Sequence, residues 1–295
     1  MLTRHSLSLT LSNINLVFKV LVYALIIIVI GSALVVTIVS PILEALGETI
    51  NVADYIDHFV EDFLRGDNAV FDRIINTVDS FTATYPDDVL KVSILGVLIF
   101  FVAKLLIALI VCPVAFILNS KMATNFQEGF FHSVMVIGWK GALMGLVYTL
   151  ISYPIDLGIV ALAFFLGKWM VQGIGIFGML FALSLGLVLI TLRMSVMGQL
   201  VPTLINENIK FNLQFKRGFK LGIKLMSKTF PAILTLNLVA FGIISVSLIP
   251  TFLIIPTVMV PIILVGYTAV HLIAYYQYNQ REYYIDEIVV KNATF

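Results

Sequence analysis

Cysteine is nearly missing. A single thiol, Cys112, stands in 295 residues, so no intrachain disulfide braces the fold. Charge is equally sparse: 12% of the residues are Asp, Glu, Lys or Arg, about half the roughly 25% of ordinary globular chains. A surface so poor in charge cannot be wetted on all sides, and a soluble domain of this size is excluded. Histidine numbers four, and His5, His58, His132 and His271 form no pair with the spacing of a zinc-protease site. Nucleophile elbows, phosphate-binding loops and paired carboxylates within apolar runs are also missing. The chain therefore reads as non-enzymatic, with no catalytic residue, metal centre or cofactor expected. No base-stacking aromatic motif accompanies its basic residues, so nucleic acid is not expected as a partner.

What fills the sequence is hydrocarbon. Hydrophobic residues make up 60% of the chain and mean hydropathy is +1.04, which places it in the bilayer. Six apolar runs are long enough to span, at about 16–39, 92–117, 134–157, 174–200, 230–249 and 253–276. The first exceeds the roughly 7–15 residues of a signal-peptide core and lacks a small-residue cleavage site, so it reads as a retained span. Ser152-Tyr-Pro-Ile-Asp156 interrupts the third, and 157–173 reads as a re-entrant turn, an interfacial helix or a continuation of the same span. The expected fold is all-α, a polytopic integral membrane protein of about six transmembrane helices. Its segments are an N-terminal span (1–40), an acidic extracytoplasmic helical loop (41–90), a transmembrane bundle (91–280) and a cytoplasmic tail (281–295).

Charge asymmetry sets the expected orientation. Of 17 acidic residues, 11 fall between Glu44 and Asp88, whereas 201–228 carries Lys210, Lys216, Arg217, Lys220, Lys224 and Lys228 against Glu207 alone. By the positive-inside rule the first segment is outside and the second cytoplasmic, with both termini cytoplasmic in a multi-pass protein of the cell membrane. Within the acidic segment, Val52, Tyr55, Ile56, Phe59, Val60 and Phe63 mark one amphipathic helix and Val70, Phe71, Ile74, Ile75, Val78 and Phe81 a second. Asp54, Asp57, His58, Glu61 and Asp62 share its polar side, in an arrangement better read as a solvated face than as a metal site.

A tandem repeat with a period of 89 residues runs through the bundle. Lys104 aligns with Arg193, Pro113 with Pro202, Asn119 with Asn208, Lys121 with Lys210, Phe126 with Phe215 and Gly129-Phe130 with Gly218-Phe219. Met122, Phe126, Phe130 and Val134 recur every four residues, as do Phe211, Phe215, Phe219 and Ile223. Both segments are accordingly expected to form amphipathic helices at the membrane interface. The neighbouring stripe differs between copies, because Lys216, Lys220, Lys224 and Lys228 stand opposite Gln127, Phe131, Met135 and Trp139.

Two sets of residues are candidates for function. Lys216, Arg217, Lys220, Lys224 and Lys228 suit the anionic headgroups of the cytoplasmic leaflet, each worth about 1 kcal/mol near the surface, or else an anionic partner. Lys104 and Arg193 lie deep in apolar spans, where a charge costs about 2.5–3.5 kcal/mol on insertion scales. Snorkelling, structural pairing or the lining of an anion or lipid cavity would each offset that cost. Gly173-Ile-Gly-Ile-Phe-Gly178 fits a dinucleotide fingerprint in its letters only. Its glycines, like Gly141/Gly145 and Gly178/Ala182/Gly186, are expected at a turn or at close helix contacts.

Long apolar spans alternating with segments such as Asn206-Glu-Asn-Ile-Lys-Phe-Asn-Leu-Gln-Phe-Lys-Arg-Gly-Phe219, followed by Lys228 and a Pro231-containing span, resemble bacterial polytopic families. Among these is the membrane domain associated with glycerophosphodiester phosphodiesterases. The resemblance covers about 90–280 and implies an all-helical bacterial membrane domain. It does not carry the phosphodiesterase activity, since the catalytic domain is not in this sequence. The expected function is that of a non-catalytic integral membrane protein organising lipid or a membrane partner complex. The alternative is a transporter, channel or permease component built around a cationic intramembrane cavity.

Overall fold

A computed structural model describes residues 2–49, 58, 61, 72, 75–76, 79–80, 83–84, 86–251, 254–285 and 288–290. The helices are α1 (Leu2–Ser12), α2 (Ile14–Thr49), α3 (Pro86–Thr124), α4 (Phe130–Ile174), α5 (Ile176–Met197), α6 (Leu200–Asn206), α7 (Phe211–Thr251) and α8 (Ile254–Tyr278). Strands β1 (Tyr283–Ile285) and β2 (Ile288–Val290) pair antiparallel, with Tyr283 opposite Val290 and Ile285 opposite Ile288. Among the described residues, six helical stretches are long and apolar enough to cross a membrane, at Ile14–Ala33, Ser93–Thr124, Phe130–Ile174, Phe177–Asn206, Phe211–Ser247 and Thr257–Tyr278. Large apolar side chains such as Phe131, Met135 and Trp139 are more than 80% exposed. Water would not tolerate so much bare hydrocarbon, whereas lipid does. The chain is a multi-pass membrane protein.

The chain forms two compact units, which cut across the four segments read from the sequence. One comprises Met1–Ile27, Lys104–Ser152 and Ile190–Phe295, the other Ile28–Ala103 and Tyr153–Leu189. Helices α2, α3, α4 and α5 contribute residues to both.

In the second unit, α4 and α5 form a hairpin. Gly175 takes a left-handed φ of 58° between them, a conformation open to glycine at little cost. Gly178 lies so close to the Met170–Val171 backbone that a Cβ would overlap it, and Gly186 meets Ala163. These glycines serve a turn and close helix contacts. Residues 157–173 continue α4, so Pro154 is absorbed within one helix and no re-entrant turn forms. Tyr153 donates to the Val97 carbonyl at 2.8 Å and packs its ring on Phe100 and Phe101. Lys168 pairs with Asp72 at 3.0 Å. His58 and Glu61 are exposed and Ile75 is half-buried, while the other residues of the apolar faces expected over 52–63 and 70–81 and the acids Asp54, Asp57 and Asp62 fall outside the described residues.

The first unit is organised around α8. Residues 264–276 of this helix are buried throughout, and α1, α6 and α7 pack on it. Leu9, Leu16, Ile117, Leu118, Met122, Leu200, Leu272 and Ile273 fill the core. Small residues set helix separations, as expected where no water drives association. Gly141 and Gly145 of α4 sit on Ala108, Leu109 and Cys112 of α3. Burial thus explains the lone cysteine, as a small residue at a close helix crossing.

Three local features depart from the sequence reading. First, Met122, Phe126, Phe130 and Val134 do not share one helix. Asn125 adopts a left-handed φ of 56° and its N–H caps the Lys121 carbonyl at 3.0 Å, which ends α3, and α4 starts only at Phe130. Second, the 89-residue register does not align helix ends: helices stop at Thr124 and Asn206 and resume at Phe130 and Phe211. The matched prolines behave differently too. Pro113 lies inside α3, whereas Pro202 deprives the Gly198 carbonyl of its i+4 donor. Val201 N–H meets that carbonyl instead at 3.4 Å, and the helix breaks at Gly198–Gln199. Third, the segment read as a tail contains the β1–β2 hairpin.

That hairpin ties the chain's two ends together. Tyr283 is buried; its oxygen accepts from Gln277 Nε2 at 3.0 Å and lies 2.9 Å from His5 Nδ1. Burial, and then neighbouring positive charges including Arg4, hold the His5 imidazole below its ordinary value. The folded chain thus takes up a proton less readily than the unfolded one, whose histidine titrates near 6.5. Docking stability from this contact is present above about pH 6.5 and is lost as pH falls below it. Amide exchange across 2–12 is expected to quicken from pH 7 to 5.5, after correction for intrinsic rates. In His5→Gln that pH dependence disappears.

Candidate functional site

The two candidate sets occupy separate places in the first unit. Lys104 comes from α3 and Arg193 from α5, and both line one cavity of about 270 Å³. Helical phase puts Lys104, Ile107, Ala108, Val111 and Cys112 on a single face, following the i, i+3, i+4, i+7 and i+8 rule. Across from them stand Met144 and Tyr148 of α4 and Val260, Ile263, Leu264 and Tyr267 of α8. Both cations are half-buried. Arg193 Nη1 donates to the Tyr148 hydroxyl at 2.7 Å, and its guanidinium carbon lies 5.9 Å from that ring's centre. Tyr267 donates to the Met194 carbonyl at 3.0 Å. The wall between these polar groups is hydrocarbon.

Neither tyrosine was legible as part of a site. Tyr148 and Tyr267 come from spans unrelated by the repeat, and a tyrosine in an apolar run carries no signal beyond amphipathic packing. Below the cavity a buried polar contact joins α8 to the break after α5. Gln199 Nε2 lies 3.0 Å from His271 Nδ1 and donates to the His271 carbonyl at 3.3 Å, while His271 packs edge-on to Tyr267 at 4.6 Å. Asn237 of α7 donates to Thr191 at 2.9 Å.

The basic set lies on α7. Lys216, Arg217, Lys220, Lys224 and Lys228 are all exposed along one side. The packed face is Gln214, Gly218, Leu221, Gly222 and Leu225. The apolar stripe read from the sequence runs beside this packed face: Phe211 and Phe215 are half-buried, and Phe219 and Ile223 point outward beside the lysines. The helix is also continuous with its span. At 1.5 Å per residue its 41 residues extend roughly 60 Å, twice the ~30 Å of hydrocarbon in a bilayer.

Not all five basic residues have equal freedom. Arg217 Nε lies 3.2 Å from Glu207 Oε1, which also accepts from the Tyr275 hydroxyl at 3.2 Å. Lys224 donates to Tyr278 at 2.9 Å with its ammonium 4.8 Å from that ring's centre. Nearby, Asn206 donates to Asn119 Oδ1 at 2.9 Å, and Tyr276 donates to the same oxygen at 3.1 Å. Asn119 therefore has a partner on each of two other helices. Among the described residues no cluster of three His, Cys, Asp or Glu could hold a metal ion.

The ion pair at Glu207 is lopsided, with side chains 9% exposed for Glu207 and 61% for Arg217. Removing the arginine strands a buried carboxylate, whereas removing the carboxylate leaves a guanidinium that can hydrate. Arg217→Gln is therefore expected to cost about 1–2 kcal/mol and Glu207→Gln less, because the amide oxygen still accepts from Tyr275. Thermal unfolding of the two variants checks the order.

Family models, curated proteins and solved structures each return no match to this chain.

Proposed function

We propose that this is a non-catalytic integral membrane protein that gathers anionic lipid at the cytoplasmic face of the cell membrane, around the start of α7. One observation carries the reading: Lys216, Lys220, Lys224 and Lys228 stand exposed on one side of a helix next to outward-facing Phe219 and Ile223. A helix with this cross-section suits the boundary between headgroup and acyl chain. The aromatic and aliphatic side chains enter the hydrocarbon edge while the lysines stay with phosphate. Packing within the protein accounts for the buried face of this helix and does not require four lysines in a row on the exposed one. Tyr278 beside Lys224 adds a ring of the kind enriched at that level. Gathering such lipid would let the protein organise a patch of membrane, or a partner that recognises the patch.

Lipid retained by the full chain tests the proposal. Purified from vesicles of equal phosphatidylglycerol and phosphatidylcholine, the protein is expected to keep mostly the anionic lipid, and less of it as salt rises. Retention in the proportion supplied, at any salt, refutes the reading.

A further inference from the structure

We infer that the cavity between α3, α4, α5 and α8 is a binding site for an anionic amphiphile: a carboxylate or phosphate head carrying a hydrocarbon chain. Lys104 and Arg193 bring two positive charges to one void of about 270 Å³. Low-dielectric walls concentrate the field of those charges, so an anion is the species favoured there. Tyr148 adds a third group. Its oxygen accepts from Arg193 at 2.7 Å, and this leaves its own O–H as a donor to a ligand oxygen.

The rest of the lining decides between kinds of anion. Ile107, Val111, Met144, Val260 and Ile263 present hydrocarbon. A hydrated inorganic ion would exchange water for alkyl groups over most of its surface and lose more than two cations return. A chain attached to the head turns the same wall into a gain, at roughly 0.8 kcal/mol per buried methylene. Volume adds a limit: the cavity falls just under the roughly 300 Å³ at which ligand pockets begin. It therefore takes a head and a short length of chain, and the remainder of a longer chain would extend into lipid. The site is separate from the α7 surface, and either can fail without the other.

The test uses the full chain in phosphatidylcholine nanodiscs with three probes: octanoate, 1-octanol and inorganic phosphate. Octanoate is expected to raise the melting temperature saturably, and the other two are expected to leave it unchanged. In Lys104→Gln and in Arg193→Gln the half-saturating octanoate concentration is expected to rise at least fivefold. Partitioning into bulk lipid is common to every variant and cancels in that comparison. Val260→Phe narrows the cavity without touching either cation and is expected to weaken octanoate at least fivefold as well, which decides the matter should a cation variant not fold. Equal protection by octanol overturns the anionic head, protection by phosphate alone overturns the chain, and undiminished octanoate protection in Val260→Phe overturns the site.

Discussion

Gly222→Leu is expected to yield no folded protein, and Gly222→Ala a protein destabilised by ~3 kcal/mol or more, whereas Gly242→Ala in the same helix is expected to change stability by less than about 1 kcal/mol. The difference lies in what faces each position. A Cβ at Gly222 would overlap the Val196 carbonyl oxygen and its carbon, at the end of α5. Backbone there cannot rotate away as a side chain could. A Cβ at Gly218, one turn earlier, would come within 2.9 Å of the Leu200 Cα and 3.2 Å of the Gln199 carbonyl oxygen, so two turns of α7 lie directly against the α5–α6 break. The break is held from its other side as well, since a Cβ at Gly198 would collide with the His271 ring. Separating these elements to admit one methyl would pull Gln199 from His271. At Gly242 nothing lies within 4 Å and the added methyl meets lipid. Thermal unfolding of both alanine variants in one nanodisc lipid reads the contrast; similar melting temperatures for the two would show that α7 does not pack as described.

The spans were legible because lipid enforces them. Every backbone polar group in hydrocarbon must be bonded within its own helix, so length and apolarity suffice to place all six. Small-residue contacts were legible for a related reason: Gly141 and Gly145 recur at helical spacing, and only close approach makes such spacing useful. Helix ends were harder. A four-residue period runs through Met122, Phe126, Phe130 and Val134, yet the left-handed conformation of one asparagine, Asn125, cuts it. Periodicity averages over many residues, whereas a cap acts at one. The packed face of α7 was not legible, because Gly218 and Gly222 are packed by virtue of having no side chain and register as gaps in any hydrophobic pattern. The cavity was half legible. Its cations are conspicuous in apolar spans, but their convergence with Tyr148 and Tyr267 depends on tertiary packing.

With the buried face at Gln214, Gly218, Leu221, Gly222 and Leu225, the four lysines lie on the exposed side of α7, and Arg217 is committed to Glu207. At about 1 kcal/mol per basic residue near an anionic surface, Lys216, Lys220, Lys224 and Lys228 together contribute ~4 kcal/mol, close to a 10³-fold preference. Screening reduces that figure, since the Debye length is near 8 Å at physiological ionic strength. Lys224 also loses some reach to its hydrogen bond with Tyr278. The quadruple substitution of these lysines by glutamine is therefore expected to lower the ratio of retained phosphatidylglycerol to phosphatidylcholine by at least tenfold at low salt. At ~0.5 M salt the variant and the parent should converge, because screening removes what the substitution removed. Arg217→Gln, by contrast, should reduce stability more than lipid selectivity. If the quadruple variant kept the parent's lipid ratio at low salt, the lysines would be left with only a role in setting orientation during insertion, and anionic-lipid recognition would have to be sought elsewhere on the chain.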